Sequence, residues 1–351
     1  MSVTRAPLRL TLARATAFAA AALALACPSA YPAKKDKLPD WLERALESKG
    51  AYERFSGEND GLVLHDFGRV DYEGKDTSRS LYRRAVHVRT RDARSFGQAV
   101  ISLPDKEARL KSFSAWIVYP GGRVESFDKR DLVEIASDMD ALYSESKSLV
   151  LERSASMRDD TVFAYEYELT GKGSFLEEVW LFQSTLPTAH SRFEVGAPAG
   201  WEIDGALLNG VAAKHFKEGP VSVWEARDLP GLKDEPSRPP EKAIYGLLGV
   251  SVRPDEKAAS RYGLKAFRDW GEIARYAYEV QVGPVQATPQ IAAKARELTA
   301  GSRTEWERVK AIGEFVQTVN YVAVNMDLSS GGGYTPRPAA FVFEKHYGDC
   351  K

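Results

Sequence analysis

Apolar positions change their spacing twice along the chain, and the changes divide it into three parts. In "KKDKLPDWLERALESKG" (34–50), Trp41, Leu42, Ala45 and Leu46 share one helical face and Gly50 offers a stop. That pattern predicts a short amphipathic helix. From 60 to 253 the period falls to two. "FAYEYEL" (163–169) sets Phe163, Tyr165, Tyr167 and Leu169 against Ala164, Glu166 and Glu168, the signature of a half-buried strand. "SFSAWIVYPGGRVESF" (112–127) places Pro-Gly-Gly between two alternating runs and predicts a hairpin. Further strands are expected at 80–91, 177–184, 191–198, 221–227 and 247–252, spaced as in a β-sandwich. The Pro-rich stretch 229–242 reads as a loop leading into the last of them.

Beyond 262 the period is helical. "DWGEIARYAYEV" (269–280) aligns Trp270, Ile273, Ala274, Ala277 and Val280. The next helix opens on Thr288 and Pro289 and ends at Gly301. A third opens on a Thr304/Glu307 capping box and carries the stripe Trp306, Val309, Ile312, Val316 and Val319. "SSGGGYTP" (329–336) reads as a loop. Pro338 starts a short helix that Tyr347 and Gly348 end, with Gly348 as its left-handed C′ residue. Asp349 is then a potential N-cap of a following helix whose first residue is Cys350. The fold class expected is α+β: an antiparallel sandwich-like domain followed by a helical region.

Composition narrows the class. With 351 residues the length suggests two domains, and 44% hydrophobic with 28% charged residues is an ordinary globular balance. A formal net charge of -1 gives no reason to expect nucleic acid as a partner. Residues 1–26 do not read as part of the fold. Arg5, Arg9 and Arg14 supply a positive region, "ATAFAAAALALA" (15–26) an apolar one, and "ALA" (24–26) a small-x-small cleavage site, so export is expected. Cys27 follows that site directly. It is either a bacterial lipobox cysteine, whose acylation would attach the chain to a membrane, or a residue in the tail of an ordinary signal peptide; Ala24 stands where leucine is usual in a lipobox.

Cys27 and Cys350 are the chain's two cysteines, and no zinc-type Cys/His spacing is present. A thiol at a helix N-terminus meets unsatisfied N–H groups and the positive end of the helix dipole, which favour the thiolate and can hold an oxyanion on an attacked acyl carbon. "GDC" after a helix break gives Cys350 that setting. The Asp349 charge works against it, and a small buried hydrophobe is the other reading of such a cysteine. A redox thiol would lack the second cysteine of a CxxC motif. His346 lies four residues from Cys350, but Gly348 interrupts any shared helix, so His346 is not taken as its base. His65, His87, His190 and His215 fall in or beside expected strands and read as structural or surface residues. The pairs Asp159-Asp160 and Glu177-Glu178 read as solvated charges, and the glycine-rich loop has no phosphate-cradle pattern.

"ERVKAIGEFVQTVNYVAV" with "GGGYTPRPAAFVFEKHYGDCK" resembles the start of a bacterial transglutaminase-like domain, in which "YGDCKD" delivers the catalytic cysteine. "RDDTVFAYEYEL" and "VYPGGRVESF" resemble DUF3857, a β-rich domain that precedes such cores in exported bacterial proteins. The resemblance spans most of 60–351. It implies a DUF3857-like domain at 60–253 and the helical N-terminal half of a papain-like core at 262–351. It also implies a Cys-His-Asp site acting on a protein or peptide amide or ester, with transfer to water or to an amine and no cofactor. Only Cys350 can be assigned, because the family's His and Asp lie downstream of it. Expected location is the periplasm or outer membrane of a Gram-negative bacterium. A non-catalytic envelope scaffold with a vestigial core is the alternative. Without the sheet on which such a half-core packs, the Trp306/Ile312/Val319 stripe is expected to be partly exposed.

Overall fold

The computed structural model describes residues 37–55, 60–103, 107–136, 146–173, 175–322 and 335–348. Its elements are helix α1 (Asp40–Leu46), strands β1 (Gly61–Tyr72), β2 (Thr77–Val88), β3 (Gln98–Leu103), β4 (Arg109–Val118), β5 (Val124–Asp128), β6 (Val133–Ala136), β7 (Lys147–Glu152), β8 (Thr161–Lys172), β9 (Glu177–Leu181), β10 (Thr188–Gly196), β11 (Glu202–Leu208), β12 (Lys214–Glu218) and β13 (Val221–Leu229). Helix α2 (Glu241–Ile244), strand β14 (Leu247–Arg253) and helices α3 (Glu256–Tyr262), α4 (Trp270–Val282), α5 (Pro289–Thr299) and α6 (Glu305–Val316) follow. Strand β15 (Asn320–Tyr321), helix α7 (Ala339–Lys345) and strand β16 (Tyr347–Gly348) complete the order. The class is mixed α+β.

Eight strands form one sheet in the order β12-β13-β10-β1-β2-β8-β4-β5. All its pairings are antiparallel except β1 with β10, which run parallel, so the purely antiparallel expectation is corrected at the sheet's centre. A parallel pair needs a long crossover, and 115 residues lie between Tyr72 and Thr188. Two three-stranded sheets, β11-β14-β9 and β3-β7-β6, complete the β-structure of this region.

Both small sheets pack on one face of the large one. Leu248, Val250 and Val252 of β14 with Trp180 of β9 bury Val70, Phe193, Val195 and Trp224; Ala258 and Leu264 join this cluster from α3 and the turn after it. Ala99, Ile101 and Leu151 of the other small sheet bury Phe113, Ala115, Ile117 and Phe163. The opposite face is covered at one end by α1. Trp41, Leu42 and Ala45 seal Leu62, Leu64, Ala85, Trp116 and Ala164, as the helical pattern around Trp41 predicts. Gly50 does not stop the chain's coiling: a 3-10 turn runs on from Glu47 to Arg54. The "FAYEYEL" strand also differs from expectation. Phe163 and Ala164 point to opposite faces and both are 0% exposed, because β8 is central and α1 covers what would have been its solvent side. The hairpin at 119–123 is present, with Tyr119 N–H donating to Arg123 O at 2.8 Å and both Gly121 and Gly122 at positive φ.

The helical region is built differently. Thr288 and Thr304 cap α5 and α6 as expected, the latter with the full capping box. Yet none of α4, α5, α6 or α7 contains a buried residue. Trp306 is 73% exposed, Val309 55%, Ile312 38% and Val316 57%, so the α6 stripe is open as the sequence led one to expect. No helix among the described residues is long and apolar enough to cross a membrane.

Candidate functional site

Cys350, the predicted nucleophile, lies outside the described residues, as do Cys27, Asp349 and the glycine-rich loop at 329–333. The frame immediately before Cys350 is described. Strand β16 pairs in parallel with β15: Asn320 N–H donates to His346 O at 2.9 Å and Val322 N–H to Gly348 O at 2.8 Å. Helix α7 is tied to the end of α4 by Ala339 N–H to Pro284 O at 2.8 Å. Its left-handed cap is His346 (φ 53°), not Gly348. Gly348 instead sits in β16, where an added Cβ would meet Val342 at 3.3 Å. So the helix does break before Cys350, two residues earlier than the glycine suggested. His346 sets its ring edge-on to Phe315 at 6.5 Å.

These elements enclose a groove of about 810 Å³. Its walls are mainly apolar, with Ile291, Ile312, Phe315, Val342 and Phe343 prominent, and Gly348 reaches its edge. Lys294 lies over Phe315 at 5.6 Å and Arg337 over Phe341 at 5.1 Å, so the flanking cations rest on aromatic faces. A second cavity of about 620 Å³ opens beside the start of β1, rimmed by Arg54, Asp60, Asp92, Asp228 and Asp234. Arg54 pairs with Asp228 at 3.1 Å and Thr90 donates to Asp60 at 2.6 Å. Among the described residues that line it there is no thiol or imidazole.

The histidines of the β-region were expected to be structural or surface residues in or beside strands, and two of them lie together. His65 on β1 and His190 on β10 lie side by side, with Nδ1 to Nδ1 3.3 Å. The Nε2 atom of His190 bonds Glu225 Oε1 at 2.8 Å. Burial pushes the His65 imidazole down to about 3, helped by His190 and the nearby Arg83, and burial likewise lowers His190. The two residues are 125 apart in sequence, so only the parallel β1–β10 pairing could have revealed them. His87 bonds Asp160 at 2.6 Å and His215 stacks on Trp224 at 4.7 Å, both structural arrangements.

Three of the four acidic residues read as solvated charges have partners, and Asp159 accepts from Arg94 at 3.3 Å. Asp160 also pairs with Lys49 at 3.0 Å. Glu178 accepts from the Tyr72 hydroxyl at 2.8 Å; burial raises its pKa, and that hydrogen bond offsets the rise only in part.

Comparison with known proteins adds a domain assignment. The model of the family described as "Domain of Unknown Function with solved-structure structure (DUF3857)" matches residues 75–233. This segment is a DUF3857 domain. It holds β2 to β13, while the central strand β1 lies just before it. No curated protein matches the sequence. Among solved structures, a "putative protease" from Parabacteroides distasonis is 17% identical with a TM-score of 0.60. The match covers 83% of this chain and 56% of that one, so the chain spans little more than half of the neighbour's length. At this identity the likeness is one of fold. An M1 zinc metallopeptidase from Deinococcus radiodurans is 11% identical over 56% of this chain and 43% of its own, with a TM-score of 0.27.

Proposed function

We propose that the chain belongs to an exported transglutaminase-like thiol enzyme in which Cys350 attacks an amide or ester carbonyl of a protein or peptide. The acyl group then passes to water or to an amine. The observation that carries this reading is the order of parts at the chain's last described elements. A helix ends, Tyr347 and Gly348 pair as a short strand beside Asn320 and Tyr321, and Asp-Cys-Lys follows in sequence. That order agrees with the motif of the family. The fold likeness over 83% of the chain to a protein called a "putative protease" supports acyl chemistry of the hydrolytic kind. The roughly 810 Å³ groove that Gly348 edges supports a site able to take an extended apolar side chain. Placement in the periplasm or at the outer membrane, with Cys27 lipidation as the means of attachment, belongs to the same proposal.

Treatment with a peptidyl chloromethyl ketone tests it. Intact-mass and peptide analysis should show one adduct, on Cys350, and none in the Cys350→Ser variant. Equal labelling of Cys27 and Cys350, at the slow rate of an unactivated thiol, would count against the proposal.

A further inference from the structure

The geometry points to a transition-metal site on the outer face of the large sheet, formed by the facing Nδ1 atoms of His65 and His190. Neither residue takes part in the proposed thiol chemistry. Three observations meet here.

The first is tautomeric. A carboxylate only accepts hydrogen bonds, so Glu225 Oε1, 2.8 Å from His190 Nε2, takes the proton of that nitrogen. His190 Nδ1 then carries a lone pair, 3.3 Å from His65 Nδ1. The second is distance. Two nitrogens each about 2.0–2.1 Å from a tetrahedral zinc ion stand about 3.3 Å apart. His65 and His190 Nδ1 are separated by 3.3 Å, so the nitrogen separation already equals that bite and the rings need only turn to bring both lone pairs onto the ion. The third is support. A histidine ligand usually gives its other N–H to a carboxylate, which fixes the ring and raises its basicity, and Glu225 does this for His190. Phe67 stacks on His65 at 6.0 Å and Trp41 lies 5.7 Å away, so the second ring is held by packing.

The surrounding arginines are largely balanced. Arg83 is matched by Glu166 at 3.1 Å, Arg227 by Glu225 at 2.5 Å and Arg192 by Glu194 at 2.7 Å, while Arg44 adds a positive charge near His65 that works against a cation. Neutral imidazole is the form that binds metal. Without metal, His65 donates its Nδ1 proton to His190. On binding, that proton moves through solvent to His65 Nε2, so each Nδ1 forms one bond to the metal and no proton is lost overall. Among the described residues no group of three or more His, Cys, Asp or Glu is set around a common point. The site is therefore a two-imidazole one, its other positions taken by water or by an added ligand. Imidazole donors favour zinc, copper(II) or nickel(II) over magnesium or calcium.

The test is calorimetric titration of the tag-free full chain, both thiols alkylated, with zinc chloride and, separately, magnesium chloride. Expected is one zinc per chain and no magnesium binding. His65→Gln and His190→Gln should abolish zinc binding, Glu225→Gln should weaken it about tenfold, and His215→Gln should leave it unchanged. Should a histidine variant fail to fold, long-range proton–nitrogen spectra of the wild type decide. Zinc must then shift both Nδ1 resonances while His190 Nε2 keeps its proton. The absence of saturable zinc binding would overturn the inference. So would binding that survives either histidine variant, or an Nδ1 proton that persists with zinc present.

Discussion

The face-to-face packing of the small β11-β14-β9 sheet on the large one depends on the absence of a side chain at Gly68. This glycine is on β1 and has an ordinary backbone conformation, so its φ is not the constraint. A Cβ there would stand 2.6 Å from Trp180 Cζ3 and 2.9 Å from Phe193 Cδ2. Carbons in contact sit at about 3.5–4.0 Å, so the overlap is about 1 Å. Trp180 cannot yield cheaply. Its indole N–H donates to Ser191 Oγ at 3.0 Å, and its ring stacks on Phe193 at 5.0 Å and on Tyr82 at 6.4 Å. Overpacking of this kind costs roughly 1–3 kcal/mol. Replacing glycine by alanine returns about 0.4–1 kcal/mol through the unfolded chain. Gly68→Ala should therefore destabilise by about 1–2 kcal/mol, lowering the melting temperature by roughly 2–8 °C for a unit of this size. Gly171 on β8 is the control, with open space where its Cβ would be. Gly171→Ala should stay within about 0.5 kcal/mol of wild type. Urea unfolding followed by tryptophan fluorescence measures both. If Gly68→Ala proves as stable as Gly171→Ala, the packing argument is wrong.

Further outcomes follow from other sites. Leu42 of α1 is fully buried against the large sheet, so Leu42→Ala should cost about 2–5 kcal/mol and make the 40–54 segment the first proteolytic cut. His65 is held neutral down to about pH 3, whereas the unfolded chain takes up its proton near 6.5. Its contribution is thus complete above pH 6.5 and falls away as the pH drops toward 3. The stability gap between wild type and His65→Gln, read from urea midpoints at pH 7 and pH 5, should move in favour of the variant at the lower pH; a constant gap would refute the linkage. Trp306→Lys and Val316→Lys on the open α6 stripe should change stability by no more than about 0.5 kcal/mol while lowering binding of a hydrophobic dye.

Much of this fold could be read from the sequence because local pattern and tertiary burial agree. The hairpin at 119–123, the Thr288 and Thr304 caps, and the apolar face of α1 each depend on residues close in sequence. What was hidden depends on residues far apart. The parallel pairing of β1 with β10 joins segments over a hundred residues apart, and no periodicity encodes it. It alone brings His65 to His190. The burial of Ala164 on the presumed polar side of β8 comes from α1, which the strand's own alternation cannot register. Glu178 likewise looked solvated until Tyr72 was found across the sheet interface. At the end of the chain the helix break was legible, but its position was not. His346 takes the left-handed cap, and Gly348 lies in the short strand against Val342.

The central claim concerns Cys350, and the rate of its alkylation as a function of pH tests it most directly. With Cys27→Ser to leave one thiol, iodoacetamide labelling of Cys350 should rise with an inflection below about 7.5, as for a thiol activated by a helix N-terminus or a basic partner. An inflection at or above about 8.5, the value of a free cysteine, would contradict the claim that Cys350 is a nucleophile.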